Sequence, residues 1–285
     1  MTITDAGTLA CPACRGPLRF AGTLAGDRLV EGVLRCMRCA RGWPVRDGLP
    51  RLVDEARIQR ADRFMRVLYD WLAPLHDPIT RALFPPLQGT SERAAREGYM
   101  RRLDLGGLGA ADGGDRRRIL EVGVGAGANL SLLDRDLPPD LDVELWGLDL
   151  SLGMLERCRR RLAAHPGRPM RLAIADAHAL PFPDAWFDRV FHVGGIGGYG
   201  DPRRGLAEMA RVARPGTPIV VVDEQLAPDY RHSPFHRVVF RALTFYTTAP
   251  TSPIAHLPPG ATDVVSEQVS RYYYCLTFRM PRRDA

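Results

Sequence analysis

Four of the six cysteines form two pairs near the start of the chain. Two residues separate Cys11 from Cys14 and Cys36 from Cys39, and 21 residues lie between the pairs. This spacing lets one tight turn present both sulfurs of a pair to a single tetrahedral ion. Four thiolates fill the coordination sphere, so no position remains for a reacting water. The spacing therefore predicts a structural zinc site, with a disulfide pair or a redox C-x-x-C as the alternatives.

The segment between the cysteine pairs is predicted to contain short strands at 18–20 and 29–34. A ribbon of this size is predicted to be too small to hold a core without the metal.

A second group of residues suited to chemistry begins at Glu121. The segment Glu121–Asn129 reads EVGVGAGAN, and its glycines allow a backbone to approach a bound ligand closely. Carboxylates follow the next two apolar segments, at Asp149 and Asp176. If these segments are parallel strands, their carboxyl ends lie at one edge of the sheet. A glycine loop with a later carboxylate also fits a nicotinamide dinucleotide. The spacing alone therefore does not identify the cofactor.

The elements that would position these residues alternate along the chain. Strand-type segments occur at 119–122, 143–148, 172–175, 190–193 and 219–222, and helical segments occur at 130–133, 154–162 and 206–212. Such alternation predicts an α/β fold with a Rossmann-like, doubly wound parallel sheet. Ligands of such sheets bind at the carboxyl ends of the strands.

Helical elements are predicted between the cysteines and this sheet. Apolar residues at helical spacing occupy 56–72, where Pro74 and Pro78 are expected to end the helix. A second helix is predicted from Ser91 to Leu103, with the serine as its cap, and 106–114 reads as a glycine-rich loop. The predicted division is a zinc ribbon at 1–53, a helical cap and linker at 54–114, and a main domain at 115–285.

The composition is that of an ordinary globular protein of 285 residues, 45% of them hydrophobic. All 39 basic residues are arginines, and the net charge is +6. The arginines are scattered along the chain, so RNA binding stays an alternative that their distribution does not favour. No apolar run approaches about 18 residues, and the start lacks a signal-peptide pattern, so a cytoplasmic protein is expected. Cys158 and Cys275 stand alone among apolar residues and are expected to be buried.

The order of the motifs resembles class I S-adenosylmethionine (SAM)-dependent methyltransferases over residues 117 to about 224. The resemblance rests on the glycine loop, Asp149 with Ser151, Asp176-Ala177, and the segment Glu208–Gly216. It implies that Glu121 and the loop hold the methionine part of SAM, Asp149 the ribose, and Asp176 with Ala177 the adenine edge. The positions implied to bind the cofactor are Glu121, Gly123, Gly125, Gly127, Asn129, Asp149, Leu150, Met154, Asp176, Ala177 and His192.

The flanking segments carry further resemblances. Residues 36–52 are similar to the ribbon of the small zinc protein that partners tRNA and rRNA methyltransferases, which implies an interaction or substrate-orienting module. Residues 69–77 look like the leading helix of quinone-biosynthesis methyltransferases (type 11), where it caps the cofactor pocket; a plain core-facing helix is the alternative. The family resemblance also implies that strands at 264–269 and 272–280 complete a seven-stranded sheet, one of them antiparallel.

Methyl transfer needs a general base only when the acceptor carries a proton at neutral pH. His192, at the end of the fourth strand, is the predicted base, with Tyr199, His232 and His236 as alternatives. A histidine at a strand end can instead hydrogen-bond a loop. The segment Gly194–Gly198 replaces the Asn/Asp-Pro-Pro-Tyr motif of enzymes that methylate adenine or glutamine amino groups. A carbon or oxygen acceptor is therefore favoured.

A last amphipathic helix is predicted after the fifth strand. Its apolar face comprises Phe235, Val238, Val239, Ala242 and Tyr246. This face is expected to cap the active site with an apolar wall, with packing against the sheet or shallow membrane contact as alternatives.

Three functions follow from the sequence. The first is methylation of an apolar or aromatic small molecule such as a quinol, phenol or polyketide intermediate. The ribbon and the positive charge suggest an rRNA or tRNA methyltransferase as the second. A non-catalytic scaffold that binds the cofactor or a protein through the ribbon is the third. The residues specify neither the acceptor atom nor the oligomeric state.

Overall fold

The computed structural model describes residues 1–88, 92–109, 116–164, 167–247 and 250–282, with side chains described outside 75–93. The helices are α1 (Ile3–Gly7), α2 (Arg60–Gln88), α3 (Glu92–Met100), α4 (Leu130–Asp136), α5 (Leu152–Ala164), α6 (Pro202–Val212) and α7 (Pro234–Leu243). The strands are β1 (Leu18–Ala25), β2 (Arg28–Cys36), β3 (Gly42–Arg46), β4 (Leu49–Leu52), β5 (Arg117–Val122), β6 (Val143–Asp149), β7 (Met170–Ala175), β8 (Arg189–Val193), β9 (Ile219–Glu224), β10 (Thr262–Gln268) and β11 (Tyr273–Arg279).

All of these strands lie in one sheet, in the order β1-β2-β3-β4-β7-β6-β5-β8-β9-β11-β10. Strands β7, β6, β5, β8 and β9 are parallel, and β11 pairs antiparallel with both β9 and β10. The predicted doubly wound sheet corresponds to the seven strands from β5 onward. Its strand order reverses beside β5, so the carboxyl ends of β5 and its neighbours open a crevice there.

Helices cover both faces of the central strands. Leu120 of β5 lies in one apolar cluster with Met209 of α6, whereas the preceding residue, Ile119, lies in a second cluster with Leu133 of α4. Successive side chains of a strand point to opposite faces, so both faces of β5 are buried. This explains why the strands read as nearly continuous apolar segments, and it confirms the predicted α/β class.

The N-terminal ribbon extends the same sheet. Its strands β1 and β2 form a hairpin longer than the predicted strands at 18–20 and 29–34, and β3 and β4 were not predicted at all. Strand β4 pairs in parallel with β7 through Leu52, which lies opposite Ala175. The ribbon is therefore joined by backbone hydrogen bonds to the edge of the larger sheet.

The ribbon also shares its core with that sheet. Leu34 and Trp43 are buried in the same apolar cluster as Trp146 of β6 and Phe182. We predicted a ribbon too small to hold a core without metal. The structure adds a second source of burial, because one side of the ribbon packs on residues of the larger domain.

The prediction that the first cap helix ends at Pro74 and Pro78 is wrong, because α2 continues to Gln88. A proline inside a helix removes one hydrogen bond, but it does not by itself stop the helix. The second predicted helix corresponds to α3 and a 3-10 turn that ends at Leu103. Its expected cap, Ser91, and residues 110–114 of the predicted loop lie outside the described residues. Within the described part of the chain, no helix is long and apolar enough to cross a membrane.

Candidate active site and zinc centre

The four paired cysteines converge on one point. Their Sγ atoms all lie within 4.8 Å of one another, with 3.4 Å between Cys14 and Cys36 and 3.8 Å between Cys11 and Cys39. These separations exceed the bond of about 2 Å in a disulfide. The backbone N–H groups of Arg38 and Cys39 donate to Cys36 Sγ, each at 3.4 Å, which favours its thiolate form. Four thiolates in this arrangement fit a closed, structural Zn²⁺ site.

A cavity of about 380 Å³ occupies the carboxyl ends of β5 to β9. The predicted cofactor positions that border it are Glu121, Gly123, Gly125, Asn129, Asp149, Leu150, Met154, Asp176, Ala177 and His192. Predicted Tyr199 borders it too, whereas His232 and His236 do not. The structure thus brings together residues from the carboxyl ends of four strands, β5 to β8.

The glycine loop has two kinds of glycine. Gly125 has a φ of 53°, and a Cβ there would meet no atom within 4 Å, so the missing side chain leaves room for a ligand. Gly127 has a φ of 75°, but its Cβ would lie 2.7 Å from the Leu130 side chain. Gly127 is the one predicted cofactor position that does not border the cavity. The structure shows a packing reason for that glycine.

Glu121 supplies a buried carboxyl at the wall of the cavity. Asn129 donates from Nδ2 to Glu121 Oε1 at 2.6 Å, and Asn129 Oδ1 accepts from both Tyr99 Oη and Arg96 Nη1 at 2.8 Å. Among the described residues, Glu121 Oε2 has no hydrogen-bond partner. Burial raises the pKa of Glu121 to about 8. A cationic ligand group beside it would supply the missing partner and favour the ionised form.

Asp149 links the glycine loop to the cap helix. Its Oδ2 accepts from the Gly125 N–H and its Oδ1 from the Ser151 N–H, both at 2.8 Å. Burial raises the pKa of Asp149 to about 6, although these two N–H bonds favour the ionised form. Asp70 of α2 accepts from Ser151 Oγ at 2.6 Å and from the Gly153 N–H at 2.9 Å. The cap helix is therefore anchored to the loop that positions Asp149.

Asp176 is paired with a histidine that the sequence analysis missed. The ring Nδ1 of His178 lies 2.7 Å from Asp176 Oδ1, and the His178 N–H donates to the same oxygen at 2.9 Å. Burial opposes ionisation of both groups, but this pairing lowers the pKa of Asp176 and raises that of His178. Asp62 of α2 is buried 3.8 Å from the same ring nitrogen. No sequence motif marks such a pair; only the position after a strand could have suggested it.

His192 is buried beneath the glycine loop. Its Nδ1 lies 2.7 Å from the carbonyl oxygen of Val122, which places the ring proton on Nδ1 and leaves the lone pair on Nε2. Burial lowers the pKa of His192, so the ring is neutral. Nε2 has no partner among the described residues, and Tyr199 Oη lies 3.4 Å from Nδ1. The geometry holds the ring against the loop, and its role as a base stays a prediction.

One part of the cavity lining is apolar and aromatic. Side chains from the cap helix, the segment after α7 and the last hairpin line it: Met65, Leu68, Tyr69, Leu72, Leu243, Phe245, Tyr246, Val269 and Tyr273. The predicted apolar wall from α7 itself needs correction, because Phe235 and Val238 are 64% and 68% exposed. Helix α7 instead packs through Phe240, whose ring centroid lies 5.2 Å from that of Tyr272. Of the predicted face, Tyr246 reaches the cavity.

A pair of carboxyls lies at the end of β9, and the sequence analysis missed it as well. Asp223 accepts from the N–H groups of Gly195 and Gly197 at 2.8 and 2.6 Å, so two donors stabilise its charge. Glu224 borders the cavity and accepts from Tyr246 Oη at 2.8 Å. Burial and the neighbouring Asp223 raise the pKa of Glu224 well above its usual range. The Glu224 carboxylate is therefore a stronger base than an exposed one.

Two families of known proteins match separate parts of the chain. Residues 119–216 match the family described as methyltransferase domain, and residues 8–48 match Trm112p-like protein. The first match covers the loops of the cavity from β5 to β8, and the second covers all four cysteines.

Curated relatives and solved structures extend these matches. The chain is 31% identical to a demethylmenaquinone methyltransferase of Renibacterium salmoninarum, over 60% of this chain and 63% of that protein. It is 35% identical to the ubiquinone/menaquinone biosynthesis C-methyltransferase of Geobacter sulfurreducens, over 45% of this chain and 47% of that protein. The chain thus spans only part of the length of each relative.

The fold is similar to that of phosphoethanolamine N-methyltransferase 2 from Haemonchus contortus, solved in complex with S-adenosyl-L-methionine. The TM-score is 0.58, with 14% identity over 94% of this chain and 70% of that one. At this identity the likeness concerns the fold alone. The two family matches show that the chain carries a methyltransferase domain joined to a Trm112p-like zinc ribbon, and the structural likeness shows that this domain has the fold of a SAM-dependent methyltransferase.

Proposed function

We propose that the chain transfers a methyl group from SAM to a carbon or oxygen of an apolar or aromatic small molecule, such as a quinol, a phenol or a polyketide-like compound. One observation carries this proposal. A single cavity is bordered by buried carboxyls at the strand ends and by apolar and aromatic side chains from the cap helix, the end of α7 with the residues after it, and the last hairpin. We assign the carboxyls to a charged nucleoside and the apolar and aromatic side chains, which we call the acceptor end, to an apolar acceptor.

The residues around the glycine loop fit SAM. Glu121, with its unpartnered Oε2, would face the cationic amino group, and the open space over Gly125 admits the methionine chain. Asp149 would accept from the ribose hydroxyls, and Asp176 with Ala177 would face the adenine edge. When bound, SAM supplies an electrophilic methyl group on a sulfonium. The chain's contribution is alignment, because holding two reactants in line removes much of the entropic barrier.

The residues at the acceptor end would exclude water and would provide a group that accepts a proton. Leu72, Phe245 and Tyr246 would enclose an aromatic ring. Glu224 borders this end, and burial raises its pKa, so its carboxylate is a stronger base than an exposed one. We therefore propose Glu224 as the group that takes the acceptor's hydroxyl proton at its carboxylate. His192 and Tyr199 remain the catalytic candidates from the sequence, and we propose that His192 also holds the loop at Gly123.

The ribbon and the cap have proposed roles that follow from their positions. We propose the division into a ribbon at 1–53, a cap and linker at 54–114 and a SAM-binding domain at 115–285. The ribbon would stabilise the edge strand β7, which leads directly to Asp176. Methylation of RNA stays one alternative function, and a non-catalytic scaffold is the other.

Two measurements test the proposal. Calorimetric titration should show binding of SAM and of S-adenosylhomocysteine, and no binding of a nicotinamide dinucleotide. Transfer of labelled methyl from SAM should then be measured with short-chain quinols, phenols and total RNA as separate acceptors. Labelling of RNA alone, with an affinity that falls steeply with salt, would support the RNA alternative instead. SAM binding without labelling of any acceptor would support the scaffold.

A further inference from the structure

An exposed apolar surface lies outside the cavity. On α2, Phe64, Val67 and Trp71 are 54%, 61% and 73% exposed, and their spacing places them on one side of the helix. On α7, Phe235 and Val238 are 64% and 68% exposed and lie one turn apart. Contiguous apolar surface of this kind is unusual on a monomer and marks contact with a partner or a membrane.

Phe245 joins the two helices and connects this surface to the cavity. Its ring centroid lies 6.4 Å from that of Phe64, in an edge-to-face contact. Phe245 is 54% exposed, and it also borders the cavity. On α2 the neighbouring residues Leu68 and Leu72 face the cavity while Val67 and Trp71 face outward. We call the exposed residues the outer face: Phe64, Val67, Trp71, Phe235, Val238 and Phe245.

Arginines outnumber acids beside the outer face. Exposed arginines flank it on both helices, at Arg60, Arg63, Arg237 and Arg241. Two acids occur between residues 60 and 74; Asp62 is buried, and Asp70 is exposed but accepts hydrogen bonds from Ser151 and Gly153. Residues 234–245 contain no acid. Aromatic side chains between arginines are the pattern that binds an anionic lipid surface, because rings enter the acyl boundary while guanidinium groups meet phosphates.

We propose that the outer face docks the protein on the surface of an anionic phospholipid bilayer, with the cavity opening toward the lipid. An apolar acceptor then enters past Phe245 without crossing water. The route of the acceptor rests on the proposed function, whereas the docking itself does not. The charge pattern favours lipid over a second copy of this chain, because two copies would bring arginines of the same sign together.

Vesicle sedimentation with the full-length protein tests the docking. The wild type should sediment with vesicles of phosphatidylcholine and phosphatidylglycerol, and more weakly with phosphatidylcholine alone. Val67→Ser with Trp71→Ser should weaken the partition by roughly tenfold or more, because two large apolar side chains no longer enter the lipid. Arg60→Gln with Arg237→Gln should weaken it by roughly tenfold on the anionic vesicles only.

A matched control uses Leu24→Ser with Val264→Ser, since both side chains are 40% exposed but lie on strands far from the outer face in the sequence. This control should sediment like the wild type. No sedimentation of the wild type with either vesicle, or equal sedimentation of the Val67 and Trp71 variant, would overturn the docking surface.

Two further readouts keep the outcomes apart. If the Val67 and Trp71 variant changes the oligomeric state in ultracentrifugation but keeps its vesicle binding, the outer face is a contact between copies and the proposal is wrong. Calorimetry with SAM is independent of vesicles, so a wild type that sediments but ignores SAM would refute the proposed function and leave the docking intact. The docking variants should methylate a short-chain, water-soluble acceptor at the wild-type rate.

Discussion

The zinc centre and the cavity are assembled in opposite ways. The zinc ligands come from two short turns, and all four lie between residues 11 and 39. The cavity draws its walls from the cap helix, five strand ends and the last hairpin, over residues 62 to 273. A site built from local spacing can be recognised in the sequence, whereas a site built by tertiary packing must be seen in the structure.

The two regions are nevertheless mechanically joined. Strand β4 of the ribbon pairs with β7, and the ribbon residues Leu34 and Trp43 share a cluster with Trp146. Strand β7 ends one residue before Asp176. Damage at the zinc centre should therefore reach the adenine end of the cavity, while damage inside the cavity should leave the zinc centre intact. This asymmetry can be tested in both directions.

The largest effect is expected from Cys36→Ser. Structural zinc contributes about 10 kcal/mol or more to the folding of small metal domains, so losing one thiolate should release the ion and unfold the ribbon. Because β4 then loses its support, SAM affinity should fall as well. Metal analysis, hydrogen exchange of residues 1–53 and SAM calorimetry check this. Met37→Ser, an exposed neighbour, is the control; full zinc content in the Cys36 variant would refute the ligand set.

The reverse test is Asp149→Ala. Loss of the carboxylate that we propose accepts from the ribose hydroxyls should weaken SAM binding roughly hundredfold. The zinc content should stay at that of the wild type, because Asp149 lies in a different region from the cysteines. Asp140→Ala, an exposed acid on a loop, should change neither quantity. Unchanged SAM affinity in the Asp149 variant would contradict the assignment of the donor end.

The sequence was informative where residue types repeat at fixed spacing. The cysteine pairs predicted the ribbon, and the resemblance carried by the glycine loop together with Asp149 and Asp176 predicted the methyltransferase domain; the family matches confirm both. The spacing was less informative at Pro74, where a local rule predicted a helix end that α2 does not have. Strand β4 has only four residues, and its pairing with β7 depends on tertiary placement that no local pattern encodes.

The acceptor end shows the same limit. The face of α7 had the right periodicity for burial, yet Phe235 and Val238 are exposed and the cavity wall comes from the turn that follows. Glu224 gave no signal because a carboxylate at the end of a strand reads as an ordinary boundary. Its environment, rather than its position in the sequence, makes it a candidate base.

A smaller effect is expected from Tyr246→Phe, which sharpens the assignment of the base. Tyr246 Oη donates to Glu224, which favours the carboxylate and lowers its pKa. Removing that bond should raise the pKa of Glu224, so the acidic limb of the kcat profile should move to higher pH. Glu224→Gln should lose this limb altogether. An acidic limb that survives in Glu224→Gln and disappears in His192→Gln would return the role to His192.

The smallest effect concerns the pair of His178 and Asp176. The folded pKa of His178 is raised above its usual 6.5, so the stability from its charged ring is present below that value and is lost as the pH rises through the folded pKa. The folded pKa of Asp176 is lowered from 3.8, so the stability from its charged carboxylate is present above that value and is lost as the pH falls through the folded pKa.

The contributions of His178 and Asp176 to stability are both present between pH 3.8 and pH 6.5, where both groups are charged. His178→Asn should therefore reduce the free energy of unfolding by about 1 kcal/mol in weak acid, and by less at alkaline pH. Urea titrations of the wild type and the variant at several pH values check this. His256→Asn serves as the control, since its half-buried ring lies in a 3-10 turn outside the cavity. If the difference in the free energy of unfolding between the wild type and the His178 variant does not depend on pH, His178 acts by packing alone. The adenine end of the cavity would then hold one charged group instead of two.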